Sequence, residues 1–184
     1  MVEFHQLKLL LLDVDGVMTD GGIILDNNGN ESKRFNVKDG HGIKLLQRAG
    51  IAVGIVTGRS SSVVVHRAAE LGIEILCQGA KDKLVPFNEI LAQTGLAASA
   101  VAYVGDDVVD LPILLRVGFS ATVADAVDEV KNRVDYVAER NGGCGAVREI
   151  CDHILRHSGR WPEIMERYLP ATPATHSSPV PTGE

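Results

Sequence analysis

The sequence lacks a cysteine framework. Its 184 residues hold three cysteines, Cys77, Cys144 and Cys151. The count is odd, no two form a Cys-x-x-Cys pair, and no histidine cluster stands at zinc-finger spacing. A disulfide scaffold and a structural zinc site are therefore disfavoured, and reduced thiols are expected. Positive charge is also short. With 18 Lys and Arg against 24 Asp and Glu, the formal charge is −6. That argues against broad nucleic-acid binding, but a local basic pocket could still hold an anionic substrate. No apolar stretch approaches the ~20 residues of a membrane span, so no membrane partner is expected. The start carries no cationic n-region, and the run Leu9-Leu10-Leu11-Leu12 stops at Asp13. No signal peptide is expected, and the cytoplasm is the expected location. No internal repeat is apparent.

What is present is an ordinary globular mixture, 45% hydrophobic and 23% charged, enough for one core and one domain. Apolar runs at 7–14, 51–56, 74–76, 101–104, 119–123 and 136–138 read as strands. Helical stretches fall at 42–49, 61–71, 83–94, 110–117, 126–132 and 146–157, with Gly50, Gly72, Gly95 and Gly118 at stop positions. This alternation predicts an α/β fold: a Rossmann-like parallel sheet with helices on both faces. Ligands then bind beyond the carboxyl ends of the strands, where Asp13, Thr57 and Asp106 all fall.

One segment interrupts the alternation. Residues 22–36 read as a β-hairpin around Asn27-Asn28-Gly29, with Ile23-Ile24-Leu25 in its first strand. A lone two-stranded hairpin is marginal in water. Its apolar residues are expected to be covered by other subunits. Residues 1–160 are expected to form the domain. Residues 161–184, with Pro162, Pro170, Pro173, Pro179 and Pro181, form a tail whose last ~15 residues are expected to be disordered.

The strongest chemical signal is Asp13-Val14-Asp15-Gly16-Val17-Met18-Thr19-Asp20-Gly21 directly after an apolar strand. Two acids at a strand end are costly unless a cation or substrate compensates them. Gly16 permits a sharp turn. Three further signals follow in order: Val56-Thr57-Gly58-Arg59, Lys81-Asp82-Lys83-Leu84, and Gly105-Asp106-Asp107-Val108-Val109-Asp110. The set resembles the four motifs of the haloacid dehalogenase superfamily. Asn36-Val37-Lys38-Asp39-Gly40-His41-Gly42, the hairpin before it and Gly142-Gly143-Cys144-Gly145-Ala146-Val147-Arg148-Glu149 are similar to the 3-deoxy-D-manno-octulosonate (Kdo) 8-phosphate phosphatase family. The likeness spans about 9–157. That family commonly has Arg where Cys144 stands, and often Arg where Lys44 stands.

The resemblance implies a fold without a large cap, a homotetramer with hairpins at its centre, and a Mg²⁺-dependent phosphatase making the Kdo of lipopolysaccharide. It implies Asp13 as nucleophile and Asp15 as general acid and base, with Thr57 and Lys83 holding the phosphoryl oxygens. The ion falls to Asp13, Asp106 and the Asp15 backbone carbonyl, supported by Asp107 and Asp110. Asp15, Asn36, Val37, Lys38, Asp39, Gly40, Lys44, Arg59, Arg67 and Lys83 are the implied substrate contacts, since cations suit a sugar carrying carboxylate and phosphate. Arg148 is a candidate for a neighbouring subunit's site. His41 is left outside the catalytic set because the Asp pair already supplies acid and base. Competing readings are a phosphatase for a nine-carbon sugar-acid phosphate or for many small phosphomonoesters, a phosphotransferase, and a silent structural homologue. The absence of a large water-excluding cap argues against transfer. Intact motifs argue against silence.

Overall fold

The computed structural model describes residues 2–169. In chain order the elements are β1 (Leu9–Leu12), β2 (Ile24–Leu25), β3 (Glu31–Ser32), α1 (Val37–Arg48), β4 (Ala52–Val56), α2 (Ser62–Leu71), β5 (Ile75–Cys77) and α3 (Leu84–Thr94). They continue as β6 (Val101–Val104), α4 (Leu111–Leu114), β7 (Phe119–Thr122), α5 (Asp128–Lys131), β8 (Tyr136–Val137), α6 (Ala146–His157) and α7 (Trp161–Glu166).

Among the described residues, six strands form one parallel sheet in the order β5-β4-β1-β6-β7-β8. Side chains alternate across a strand, and β1 divides accordingly. Leu10 and Leu12 enter a core with Ile43 and Leu46 of α1, Val64 of α2 and Ile150 of α6. Leu9 and Leu11 enter a second core with Phe87 and Ile90 of α3, Ile113 of α4 and Val130 of α5. Both faces are covered, which is why β1 can be four consecutive leucines. The fold class read from the alternation is the one observed.

Strands β2 and β3 make the hairpin, outside the main sheet. Asp26 organises its turn by accepting from the Asn28 and Asn30 amides at 2.8 Å each. Ile23, Ile24 and Leu25 are 65%, 52% and 59% exposed, so the described chain leaves this apolar surface uncovered.

Several boundaries differ from the sequence reading. The largest difference is α1, which starts at Val37 rather than 42. Asn36 caps it by accepting from the Lys38 amide at 2.8 Å. Gly40 and Gly42 suggest a loop in the sequence, but both are close-approach positions inside the helix. A Cβ on Gly40 would lie 2.4 Å from Arg67 Nη2, and one on Gly42 would lie 3.0 Å from Arg148 Cα. Helix α4 covers only part of 110–117 because residues before it form a 3₁₀ turn capped by Asp107 and Asp110. The segment read as the start of the tail opens with α7. Pro162 occupies its tolerated first turn, Ile164 is buried, and Arg156 lies 4.0 Å over the Trp161 ring. The rest of the expected tail, from 170, lies outside the described residues.

Candidate active site

Parallel strands deliver the site to one edge of the sheet. The Asp13 amide still donates to Val104 O at 3.0 Å, and the Thr57 amide to Cys77 O at 2.9 Å. Asp13, Thr57 and Asp106 therefore sit just beyond the carboxyl ends of β1, β4 and β6.

Asp13 is 6% exposed. Lys83, also buried, bridges two carboxylates. Its Nζ is 2.8 Å from Asp13 Oδ2 and 2.7 Å from Asp110 Oδ1. Asp110 is fully buried and committed on both oxygens. Oδ1 also accepts from Tyr103 OH at 2.6 Å, while Oδ2 accepts from the Asp106 and Asp107 amides at 3.1 and 3.3 Å. Gly105 makes room for this arrangement, since a Cβ there would lie 2.3 Å from Asp110 Cγ. Asp110 thus holds Lys83 and the Asp106 turn in place.

One oxygen from each of Asp13, Asp106 and Asp110 can be chosen so that all lie within 4.8 Å of one another. Burial pushes the Asp13 carboxyl up to about 6, against the pull of Lys83 and with Asp110 adding to the rise. Burial, then Asp13 and Asp110, push Asp106 up to about 7. Burial alone would lower the Lys83 ammonium, but Asp13 and Asp110 outweigh it and raise it above its ordinary value. Three carboxylates thus face one ammonium, and Asp13 Oδ1 is buried with no hydrogen-bond partner. A hard divalent cation with oxygen ligands fits that excess of negative charge and that free oxygen. Gly16, at φ 87°, keeps the turn open for it: a Cβ there would lie 2.1 Å from Asp106 Oδ2.

Asp15 stands apart from this cluster. Its Oδ1 is paired with Lys33 of the hairpin segment, and its Oδ2 lies 3.9 Å from Arg59 Nε. Lys33 Nζ is also 3.5 Å from Glu31 Oε1, which Arg59 Nη2 meets at 2.6 Å. The sequence reading missed Lys33, Glu31 and Tyr103. For Lys33 a signal existed: in the extended hairpin expected over 22–36, Glu31 and Lys33 are two apart and hence on one face.

The expected substrate contacts are scattered. Arg59 joins the Asp15 cluster. Val37, Gly40, Lys44 and Arg67 line a groove with His41, Glu70 and Leu71, and none of the clustered aspartates is among them. Lys44 Nζ donates to Leu71 O at 2.6 Å, capping α2. Arg67 pairs with Glu70 at 2.8 Å and lies 5.6 Å from the Phe35 ring. Asn36 is the α1 cap. Asp39 is buried, and its Oδ1 accepts from the Arg148 amide at 2.8 Å, satisfying the first turn of α6. Lys38 lines a different cavity with Arg140, Arg148 and Arg156. Arg148 is paired with Asp152 at 2.8 Å, and His41 faces Tyr168 rather than the aspartates.

The comparisons agree with this architecture. The haloacid dehalogenase-like hydrolase family model matches residues 37–118. The 3-deoxy-D-manno-octulosonate 8-phosphate phosphatase of Escherichia coli strain B is 47% identical over 163 residues, 89% of this chain and 87% of that protein. The crystal structure of the phosphatase of that name from Yersinia pestis is 45% identical with a TM-score of 0.85, covering 86% of each chain. The Moraxella catarrhalis one, in complex with magnesium, phosphate and KDO, is 38% identical with a TM-score of 0.88, covering 92% of this chain and 99% of that one. Identity at this level over nearly the whole chain extends well past the motifs, and the chain belongs to the 3-deoxy-D-manno-octulosonate 8-phosphate phosphatase family of haloacid dehalogenase-like hydrolases.

Proposed function

We propose that this enzyme hydrolyses Kdo 8-phosphate to Kdo and phosphate, with Mg²⁺, in the cytoplasmic synthesis of lipopolysaccharide precursor. The observation that carries the chemistry is Asp13: one oxygen is held by Lys83, and the other is buried and free at the end of β1. The names of the relatives carry the sugar.

Asp13 attacks phosphorus in line and forms an aspartyl-phosphate while the bond to the sugar oxygen breaks. Asp15 gives that oxygen a proton, then takes one from the water that cleaves the intermediate. Thr57 and Lys83 hold the transferring oxygens, and Asp110 keeps Lys83 aimed. Mg²⁺, held by Asp13, Asp106 and the Asp15 carbonyl, reduces the repulsion between a carboxylate and a phosphate dianion. Arg59, beside Asp15, suits the sugar's carboxylate.

The exposed Ile23, Ile24 and Leu25 support a homotetramer assembled through the hairpins. In that assembly the Val37, Gly40, Lys44 and Arg67 groove and Lys38 are offered to a neighbouring subunit's substrate. Light scattering at micromolar concentration tests it, and a monomer would sink it.

The enzyme assay is phosphate release with Mg²⁺, and an EDTA control, from Kdo 8-phosphate, a nine-carbon sugar-acid 9-phosphate, hexose phosphates and nucleotides. A kcat/KM for Kdo 8-phosphate at least ~100-fold above the rest is expected. A flat profile would leave a general sugar-phosphate phosphatase.

A further inference from the structure

The hairpin carries a lysine that its setting does not favour. Lys33 follows β3, in a segment whose Ile23, Ile24 and Leu25 face solvent, yet its side chain is only 3% exposed. A buried ammonium is costly unless it is paired. Its partners are Asp15 Oδ1 and Glu31 Oε1. Arg59 closes the square from the turn after β4, reaching Glu31 and approaching Asp15 Oδ2 at 3.9 Å. The Asp15 carboxylate is therefore held unequally. One oxygen is occupied by Lys33, and the other has only a long contact to a guanidinium.

We infer that Lys33 is a positioning residue for Asp15, fixing the rotation of its carboxylate so that one defined oxygen hands the proton over and takes it back. This rests on the roles of Asp13 and Asp15 proposed above. A group that serves as acid in one step and base in the next must present the same oxygen to two different partners. A carboxylate free to rotate would present it only part of the time, and misplacement by an ångström is costly in rate. Lys33 takes no part in the bond changes. In the first step the Asp13–phosphorus bond forms, and the departing sugar oxygen keeps the electron pair and gains the Asp15 proton. In the second the water oxygen bonds to phosphorus, Asp13 leaves as carboxylate, and the water proton returns to Asp15. Lys33 keeps its three protons throughout. Because it belongs to the hairpin segment, placement of the acid depends on the hairpin being docked.

A lysine that merely pinned the hairpin would affect all substrates alike, whereas one that orients the acid matters in proportion to how much the leaving group needs a proton. The test uses the full-length enzyme with Mg²⁺ and measures kcat/KM, which covers only the steps up to departure of the leaving group. The substrates are phenyl phosphates of one size and graded leaving-group basicity, from p-nitrophenyl to unsubstituted phenyl, together with Kdo 8-phosphate. For Lys33→Met the loss should be within ~3-fold on p-nitrophenyl phosphate and rise to about 100-fold on Kdo 8-phosphate, the range of general-acid catalysis. Phenyl phosphate should fall between. An equal loss on every member would overturn the inference in favour of a structural role. A loss confined to Kdo 8-phosphate, with the phenyl series unaffected, would overturn it in favour of a sugar contact. If Lys33→Met does not fold, Glu31→Gln removes the second anchor of the ammonium; it should give the same graded pattern at smaller size, and a uniform loss there overturns the inference. Asp15→Asn is run beside them. If it shows no dependence on the leaving group while the wild type is active, the assignment of Asp15 itself fails, a result distinct from failure of Lys33.

Discussion

Asp13 and Asp15 are separated by one residue, yet their surroundings differ in kind. Asp13 is buried and held by Lys83; Lys83 is held by Asp110, which accepts from Tyr103 OH and two backbone amides. Those groups lie in β6, in the turn that joins β6 to α4, or beside the start of α3. Asp15 is partly exposed, and its partners come from the hairpin segment and the turn after β4. The contrast separates two demands. The nucleophile proposed for this site carries a buried charge and needs a rigid frame around it. The proposed acid and base, which must meet substrate and then water, can be held by an appendage.

The comparison breaks first if Asp13 is not the centre of the chemistry. Asp13→Asn should lower phosphate release by roughly 10⁴-fold or more, with an unchanged circular dichroism spectrum. A loss under ~10-fold would remove the distinction between the two acids. Next in size is Asp110→Ala, which strips Lys83 of a partner and orphans Tyr103 OH and two amides. Denaturant unfolding should show a loss of about 3–5 kcal/mol. Glu31→Ala, in the more open cluster, should cost about 1 kcal/mol or less. Equal costs would mean that the two clusters are equally rigid.

The third prediction concerns pH. The folded-state values of Asp13 and Asp106 lie above the ordinary carboxylate value, at about 6 and about 7. These groups favour the metal-free fold most when protonated; that contribution is full below the ordinary carboxylate value of 3.8 and is lost as pH rises from there through about 6 and about 7. A bound cation offsets the charge that then appears. Adding Mg²⁺ should therefore raise Tm by roughly 5 °C more at pH 8 than at pH 5, read by differential scanning calorimetry against EDTA. An equal shift at both pH values would place the ion elsewhere. The smallest effect belongs to the hairpin. Ile24→Ser should alter the stability of the isolated chain by no more than about 0.5 kcal/mol, while light scattering should report loss of the proposed tetramer.

The same contrast governs what the sequence revealed. Asp13, Thr57 and Asp106 were legible because each ends an apolar run, and a parallel sheet gathers such ends on one edge. Lys83 was legible through the motif set, but its anchor was not. Asp110 reads in the sequence as a support for the ion, and only the Gly105 close approach and the Tyr103 hydroxyl reveal that it is also the fixed anchor of Lys83. Lys33 was missed because a charged residue in a surface hairpin is ordinarily solvated. The start of α1 was misread because Gly40 and Gly42 lower helix propensity, whereas tertiary contact with Arg67 and α6 explains why both positions are bare. Asp39 caps a helix 109 positions away, a relation that no local pattern encodes.

The place of β1 in the sheet has a consequence for how the chain is made. Leu9 pairs with Ala52 on one side and Val101 on the other. The strand that leads into Asp13 is thus the first of the six described sheet strands to leave the ribosome, yet it is flanked on both sides only after β6 has emerged. Until then four leucines present an open edge, the kind of surface that invites pairing with another chain. Such long-range pairing also slows folding. Pulsed hydrogen exchange during refolding should find the Leu9–Leu12 amides protected no earlier than those of Val101–Val104, so that catalytic competence arrives with the second half of the chain.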